Sequence, residues 1–357
     1  MELFLKIVAP VQSYDFQTFF HNLLLSLPAS ALLGLLLFFI LGAFSGLKSK
    51  EQRLYIVIAT TIVISFTAAF YNLGVPTETL FAVYSEWLHL IVRWVHIIVG
   101  VAWIGTSFYF NWLDSRLERD DPDFKHLDGY LWSVHSGGFY RIEKLKGPPK
   151  KLPKVLHWFK WEAYATWISG FVLLILVYYL NASSMMLGAS GIILTPFQAI
   201  LISILLLIGS WLLYDYLCKN VLKDNEQTLI ATGFLLFVLL SYFLTQIYGS
   251  RAAYIHVGAI IGTIMAANVF RVIIPAQRNL VISAENNQKP NLNLSIEAKN
   301  RSIHNNYFTL PVLFIMISSH FSFTYGAVNN WLILAVISIA GILTRHYFNL
   351  RNKKQYK

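Results

Sequence analysis

The sequence predicts an all-α fold: a polytopic transmembrane helical bundle of about nine spans, N-terminus outside and C-terminus cytoplasmic. Three observations predict it. Of 357 residues, 56% are hydrophobic and only 13% charged, whereas about a quarter are charged in soluble domains. Apolar stretches near the length that crosses a bilayer, about 20 residues, recur along the whole chain. Lysines and arginines gather in alternate connections between those stretches, which is the pattern set by membrane insertion. The formal net charge of +10 would otherwise suit a nucleic-acid partner. Its placement beside apolar spans argues for a bilayer and against nucleic acid.

The expected spans are 23–46, 54–74, 87–113, 163–181, 195–217, 228–248, 252–275, 307–322 and 327–349. Residues 1–86 form an additional N-terminal pair, 87–349 a seven-span membrane domain, and 350–357 a basic tail. The eighth span is short and contains Pro311. One set of loops holds Lys48, Lys50 and Arg53, then ten basic residues from Arg116 to Lys160. It continues with Lys219 and Lys223, then Arg278, Lys289, Lys299 and Arg301, and ends with Arg345 and the tail. The opposite loops hold only Lys6 and Arg251. That split places the basic loops in the cytoplasm. The first twenty residues lack a basic leader followed by a small-residue cleavage site, so no cleaved signal peptide is expected. A single cysteine, Cys218, excludes an intramolecular disulfide.

Two hydrophilic stretches are expected on the cytoplasmic side. Residues 114–162 carry too many aromatic rings for a solvated linker, so part of this stretch is expected to fold back against the helix ends. Residues 276–306 read as an exposed loop. In the seventh span, Gly258, Gly262 and Ala266 form a small-residue ridge suited to close helix packing.

The third span carries the clearest chemical signal. His89, Arg93, His96, Gly100, Trp103, Ser107, Asn111 and Asp114 recur every three or four residues and so share one helix face. Polar groups at membrane depth are costly and face a bundle interior or a cavity. By depth, His89, His96, His256 and His320 all fall in the outer half. Two readings stand for them: histidines bonded to neighbouring helices, or axial ligands of haem b. His96 and His256 are the expected iron ligands, with His320, His89 and Arg93 as further cofactor contacts. At the cytoplasmic side, WSVHSGGFYRIEK, LHWFKWEAY and SIHNNYFTLP mix hydrogen-bonding groups with flat rings, as a planar polar ligand requires. Trp158, Lys160 and Trp161 also suit interfacial anchoring. A phosphate-binding glycine loop, HExxH, a dinucleotide fingerprint and CxxCH are all absent. These absences argue against nucleotide-driven transport and against covalent haem on this chain.

Five strings carry a resemblance running from about Trp87 to Asn349. They are RWVHIIVGVAWIGTSFYFNWLD, LWSVHSGGFYRIEK, LHWFKWEAYATWISGFVLLILVYYLNAS, SRAAYIHVGAIIGTIMAANVFRVIIPAQR and RSIHNNYFTLPVLFIMISSH. With them the chain resembles the bacterial membrane-bound urate hydroxylases, also called cytochrome-c-linked urate oxidases. The resemblance implies a multi-pass enzyme of the bacterial inner membrane that oxidises urate to 5-hydroxyisourate in purine breakdown. Members often carry one further span and a C-terminal cytochrome c domain. This sequence has neither, and it has two extra N-terminal spans, so a separate cytochrome c or other respiratory carrier is the expected electron acceptor. Within that frame His135, Asn305 and Asn306 are the expected catalytic residues, and Arg141, Trp158, Glu162 and His304 the expected urate contacts. A transporter of a purine-like anion and a haem-binding electron-transfer subunit are the rival readings.

Overall fold

The computed structural model describes residues 17–18, 20–24, 26, 50–72, 77–119, 121–149, 151–188, 192–221 and 225–354. The span expected at 23–46 falls almost wholly outside these residues. The chain divides into two compact units, 1–91 and 92–357. In the first, α1 (Lys50–Asn72) buries Ser65, and the Thr67 hydroxyl meets the Tyr84 hydroxyl at 2.6 Å.

Among the described residues the fold is all-α helical apart from one hairpin. Helix α2 (Thr77–Arg116) leads to strands β1 (Leu127–His135) and β2 (Gly138–Leu145). Then follow α3 (Trp161–Leu174), α4 (Pro196–Tyr216), α5 (Glu226–Ile247) and α6 (Ser250–Asn268). The chain ends with α7 (Ile274–Glu285), α8 (Leu292–Ser318) and α9 (Asn330–Lys354). Among the described residues, six helices are long and apolar enough to cross a membrane. They lie at Ala82–Arg116, Trp161–Tyr179, Pro196–Val221, Glu226–Ile247, Ser250–Glu285 and Asn330–Leu350. Helix α8 is not one of the six, because its first half (LNLSIEAKNRSIHNN) is polar. The segment expected as an exposed loop at 276–306 is therefore mostly helical, continuing α6 through α7 and beginning α8.

Helix α6 is the axis of the second unit. More than half of its apolar window is buried, against less than a quarter in each of the other five spans. It packs against α3, α4, α5 and α8. Gly258 is the point of closest approach to α8: a Cβ there would lie 2.6 Å from Ile315 Cγ2. Gly262, expected in the same ridge, has nothing within 4 Å of its hypothetical Cβ. Only part of the expected ridge makes a tight contact, because a four-residue step on a 3.6-residue helix drifts off a fixed line.

Between α6 and α7 the helix widens into a π turn, Val269–Ile273. Pro275, two residues past its end, lacks the N–H that would continue the regular ladder, a recognised cause of such widening. Pro311 lies inside α8 and is matched by Gly341 on α9, where a Cβ would come within 3.3 Å of the proline ring.

The β1–β2 hairpin occupies part of the hydrophilic stretch after α2. Its turn uses Ser136 and Gly137, both at positive φ, which suits a two-residue hairpin loop. Leu131 and its cross-strand partner Ile142 pack on Leu113 and Leu117 at the end of α2. Lys144 holds the same junction, 2.5 Å from Asp114 and 3.1 Å from Asp128. Burial pulls the Lys144 pKa down, but the two carboxylates outweigh it and the net shift is upward. This tie is present from above the carboxylate range up to the ordinary lysine range. It is lost as pH rises through the raised lysine value and as pH falls through the lowered Asp114 value. Because all three groups are half exposed, it contributes about 0–1 kcal/mol. Lys144→Ala should therefore leave the thermal midpoint nearly unchanged yet speed limited proteolysis between β2 and α3. Equal cleavage rates in both proteins would show that the leucine contacts alone hold the hairpin.

Candidate functional site

An open cleft of about 1440 Å³ lies at the end of the bundle that bears the basic loops. Its wall includes Trp103, Ser107, Asn111 and Asp114 from α2, facing Ser302 and Asn305 from α8. The lower half of the polar stripe read from the sequence thus lines a cavity. Tyr130 and Lys144 of the hairpin contribute to the rim. The Tyr130 hydroxyl donates to Asp121 at 2.8 Å, and this bond to a carboxylate pushes its pKa up to about 12.

Behind the cleft, the middle of α8 is buried in a polar network. Asn305 donates to the Met265 carbonyl at 2.9 Å and accepts from Asn268 at 3.0 Å. Asn268 also donates to the Tyr214 hydroxyl at 3.3 Å, and that hydroxyl meets His304 Nδ1 at 2.7 Å. Asn306 accepts from Arg345 Nε at 2.7 Å. Arg301, one turn earlier, is buried against Asp215 at 2.7 Å with its guanidinium over the Tyr214 ring. The structure therefore gathers His304, Asn305 and Asn306 at one place. Tyr214, Asp215, Asn268 and Arg345 belong to the same network and were missed by sequence reasoning. The available signal was the rarity of Asp215 and Asn268 in otherwise apolar spans.

The other expected substrate residues lie elsewhere. His135 is exposed at the hairpin tip. Arg141 is stacked against Phe124, Tyr130 and Trp132 and paired with Glu143 at 3.0 Å. Trp158 packs against the Ala163, Val269 and Ile274 cluster. Glu162 stands 4.0 Å from His157, and its Oε2 is buried without a partner.

The membrane-level histidines differ in setting. His96 is half buried, with Nδ1 3.1 Å from the Thr166 carbonyl and 3.0 Å from Ser169 Oγ. It lies over Gly170, where a Cβ would come within 2.9 Å of the imidazole. His256 is 1% exposed, between the rings of Tyr178 and Tyr248, with Nδ1 2.7 Å from the Ala252 carbonyl. A carbonyl only accepts, so in both residues Nδ1 carries the proton and Nε2 presents its lone pair. The Nε2 of His256 is buried and unpartnered. This tautomer, fixed by a backbone carbonyl, is the one that metal-ligating histidines adopt. His320 is exposed beyond the end of α8, Arg93 is exposed on α2, and His89 belongs to the first unit. No cluster of three or more histidine, cysteine or acidic residues suited to a metal ion occurs among the described residues.

The family model described as urate oxidase N-terminal matches residues 82–357. The chain belongs to the urate oxidase N-terminal family. The match takes in the cleft, the polar network, His96 and His256, and begins where the stripe-bearing helix becomes apolar. Neither the curated proteins nor the solved structures contain a match to the chain. Membership gives the site a urate-related setting and makes it a candidate oxidoreductase.

Proposed function

We propose that this chain oxidises urate to 5-hydroxyisourate within a multi-pass bacterial inner-membrane protein, with the substrate entering from the cytoplasmic side. The observation that carries the reading is the coincidence of the family match with a large, partly polar cleft at the basic end of the bundle. In balance, urate and one water yield 5-hydroxyisourate, two protons and two electrons. The electrons pass to a separate one-electron carrier such as a cytochrome c.

The roles follow the chemistry of the side chains. Asn305 lines the cleft and is held by Met265 and Asn268, so it can present its amide without reorganising. Asn306 and His304 extend the polar wall behind it. Protons released on oxidation need a base of near-neutral pKa, which histidine supplies. His135 is the expected base; its seat on the hairpin tip requires the hairpin to fold over the substrate.

The proposal includes a haem b, which His256, through its buried and unpartnered Nε2, and His96 would hold. Such a group supplies one-electron transfer between the cleft and an acceptor on the outer side. The protein's own part is to fix both imidazoles in the ligating tautomer and to exclude water around His256.

Anaerobic addition of urate to the purified protein tests the reading. The expected result is stoichiometric 5-hydroxyisourate, with two reducing equivalents recovered on added cytochrome c. A Soret band that shifts on urate addition would support the haem. Urate uptake into sealed liposomes with no product formed would overturn oxidation in favour of anion transport. Reduction of the protein by urate only when a separate urate-oxidising enzyme is added would favour an electron-transfer subunit.

A further inference from the structure

Among the described residues Arg345 is a buried cation without a counter-ion. It is 8% exposed on α9, inside the apolar window Asn330–Leu350. Its Nε donates to Asn306 Oδ1 at 2.7 Å, and its guanidinium carbon stands 4.0 Å from the centre of the Phe108 ring. Among the described residues no carboxylate pairs with it. The other charges at this end of the bundle are compensated differently. Arg301 has Asp215 and Glu297, while Asp114 has Lys144 and Arg119.

The groups around Arg345 are also donors in excess. Asn306 is 1% exposed, and its Nδ2 is buried with no acceptor. Asn349, one turn along α9, directs its amide N–H at the same Asn306 Oδ1, 3.4 Å away. A single amide oxygen thus serves two donor side chains, while the Asn306 amino group serves none. Asn349 and Tyr307 carry the recess onto the cleft wall, and the Tyr307 hydroxyl meets His346 Nδ1 at 2.8 Å.

A buried guanidinium costs several kcal/mol unless an anion accompanies it, and an asparagine oxygen offers only a partial charge. Arg345 and Asn306 lie directly behind the Tyr307 and Asn349 portion of the cleft wall. The fold accepts this cost where a ligand reaching past those two side chains can supply the missing charge. The fork of a guanidinium selects planar anions that present two adjacent acceptors. Phe108 covers one face of the fork and leaves its edge as the binding element. We propose that Arg345 and Asn306 form an anion recess that takes the charged edge of a planar heteroaromatic anion. The inference rests on the urate reading and names the contact that would give it charge selectivity: a deprotonated ring nitrogen and its neighbouring carbonyl against the Arg345 fork. Arg345 then belongs to substrate binding, a role distinct from the topological one that its place near the end of the last span suggests.

Equilibrium binding of urate, an anion at pH 7, and of hypoxanthine, a neutral bicyclic purine, separates the possibilities. Wild-type protein is expected to prefer urate. Arg345→Gln should weaken urate binding about 100-fold while leaving hypoxanthine binding unchanged. Arg345→Lys, which keeps the charge and should fold even if the glutamine variant does not, should still lose about tenfold because the fork is gone. Unchanged urate affinity in either variant, with urate still bound, would overturn the recess and leave urate oxidation standing. Parallel loss of both ligands would mark a structural role and overturn it equally. Wild-type protein that neither binds nor oxidises urate would remove both ideas together.

Discussion

Replacing Arg301 with leucine is expected to cut the thermal midpoint of the purified protein sharply, and replacing Asp215 in the same chain to restore most of the loss. Arg301 is 1% exposed. Its guanidinium lies 2.7 Å from Asp215 and 3.6 Å from Glu297, with the Tyr214 ring beneath. Removing one partner of a buried ion pair leaves the other charged and desolvated, at a cost of about 3–5 kcal/mol. Here the lower end applies, because Lys219 remains 3.1 Å from Asp215. Replacing both partners by apolar groups removes the stranded charge, and such swaps are often neutral. In Arg301→Leu with Asp215→Leu, Lys219 would still have Glu297, 3.7 Å away. Thermal midpoints of the two single variants, the double variant and the parent complete the cycle. Additive losses in the double variant would mean that Arg301 and Asp215 are not coupled and that the pair does not hold α4 to α8.

The second large effect concerns α8 again, nearer its other end, where it packs on α6. Gly258→Ala should destabilise the protein by about 1–3 kcal/mol, whereas Gly262→Ala should stabilise it by up to about 1 kcal/mol. At Gly258 the new methyl would come 2.6 Å from Ile315 Cγ2 and 3.2 Å from Met316 Cε. Ile315 is fully buried and has no free volume to move into, so the helices must part. At Gly262 no atom lies within 4 Å, leaving only the gain in helix propensity. Thermal midpoints of the two variants test the packing of α6 on α8 directly. Equal shifts would mean that this approach is looser than described.

These two helices also show how far the sequence could be read. The apolar character of α6 and its run of small residues were legible, because lipid-facing and helix-facing positions demand different side chains. Which glycine touches α8 was not legible: it depends on where the two axes cross, and that is set by side chains far along the chain. The polar stripe on α2 was legible from its spacing alone, and its lower half does line the cleft. Its upper half does not continue into that cavity. His96 turns instead to Thr166 and Ser169 on α3.

The hairpin was hidden because YLWSVHSGGFYRIEK mixes alternating and aromatic signals over a length that suits a strand as well as an interfacial loop. The sequence of the start of α8 suits a loop because its polar residues resemble a solvated segment. In the fold most of residues 292–300 are exposed, whereas Arg301, Asn305 and Asn306 farther along the helix are buried. Asn305 is bonded to Asn268 and the Met265 carbonyl, and Asn306 accepts from Arg345.

What the sequence determined by itself was the class of the protein and its family. Both follow from local quantities, namely the length of apolar runs, the placement of basic residues and strings specific enough to recognise. What only the tertiary structure decided was which polar residues share a site. His304, Asn305 and Asn306 meet Tyr214, Asn268 and Arg345 across gaps of 37 to 90 residues, while His135 stands apart on its hairpin. Hydrogen bonds and charge compensation depend on distance in space. Spacing along one helix therefore finds the members of a face, and only helix packing supplies their partners from other helices.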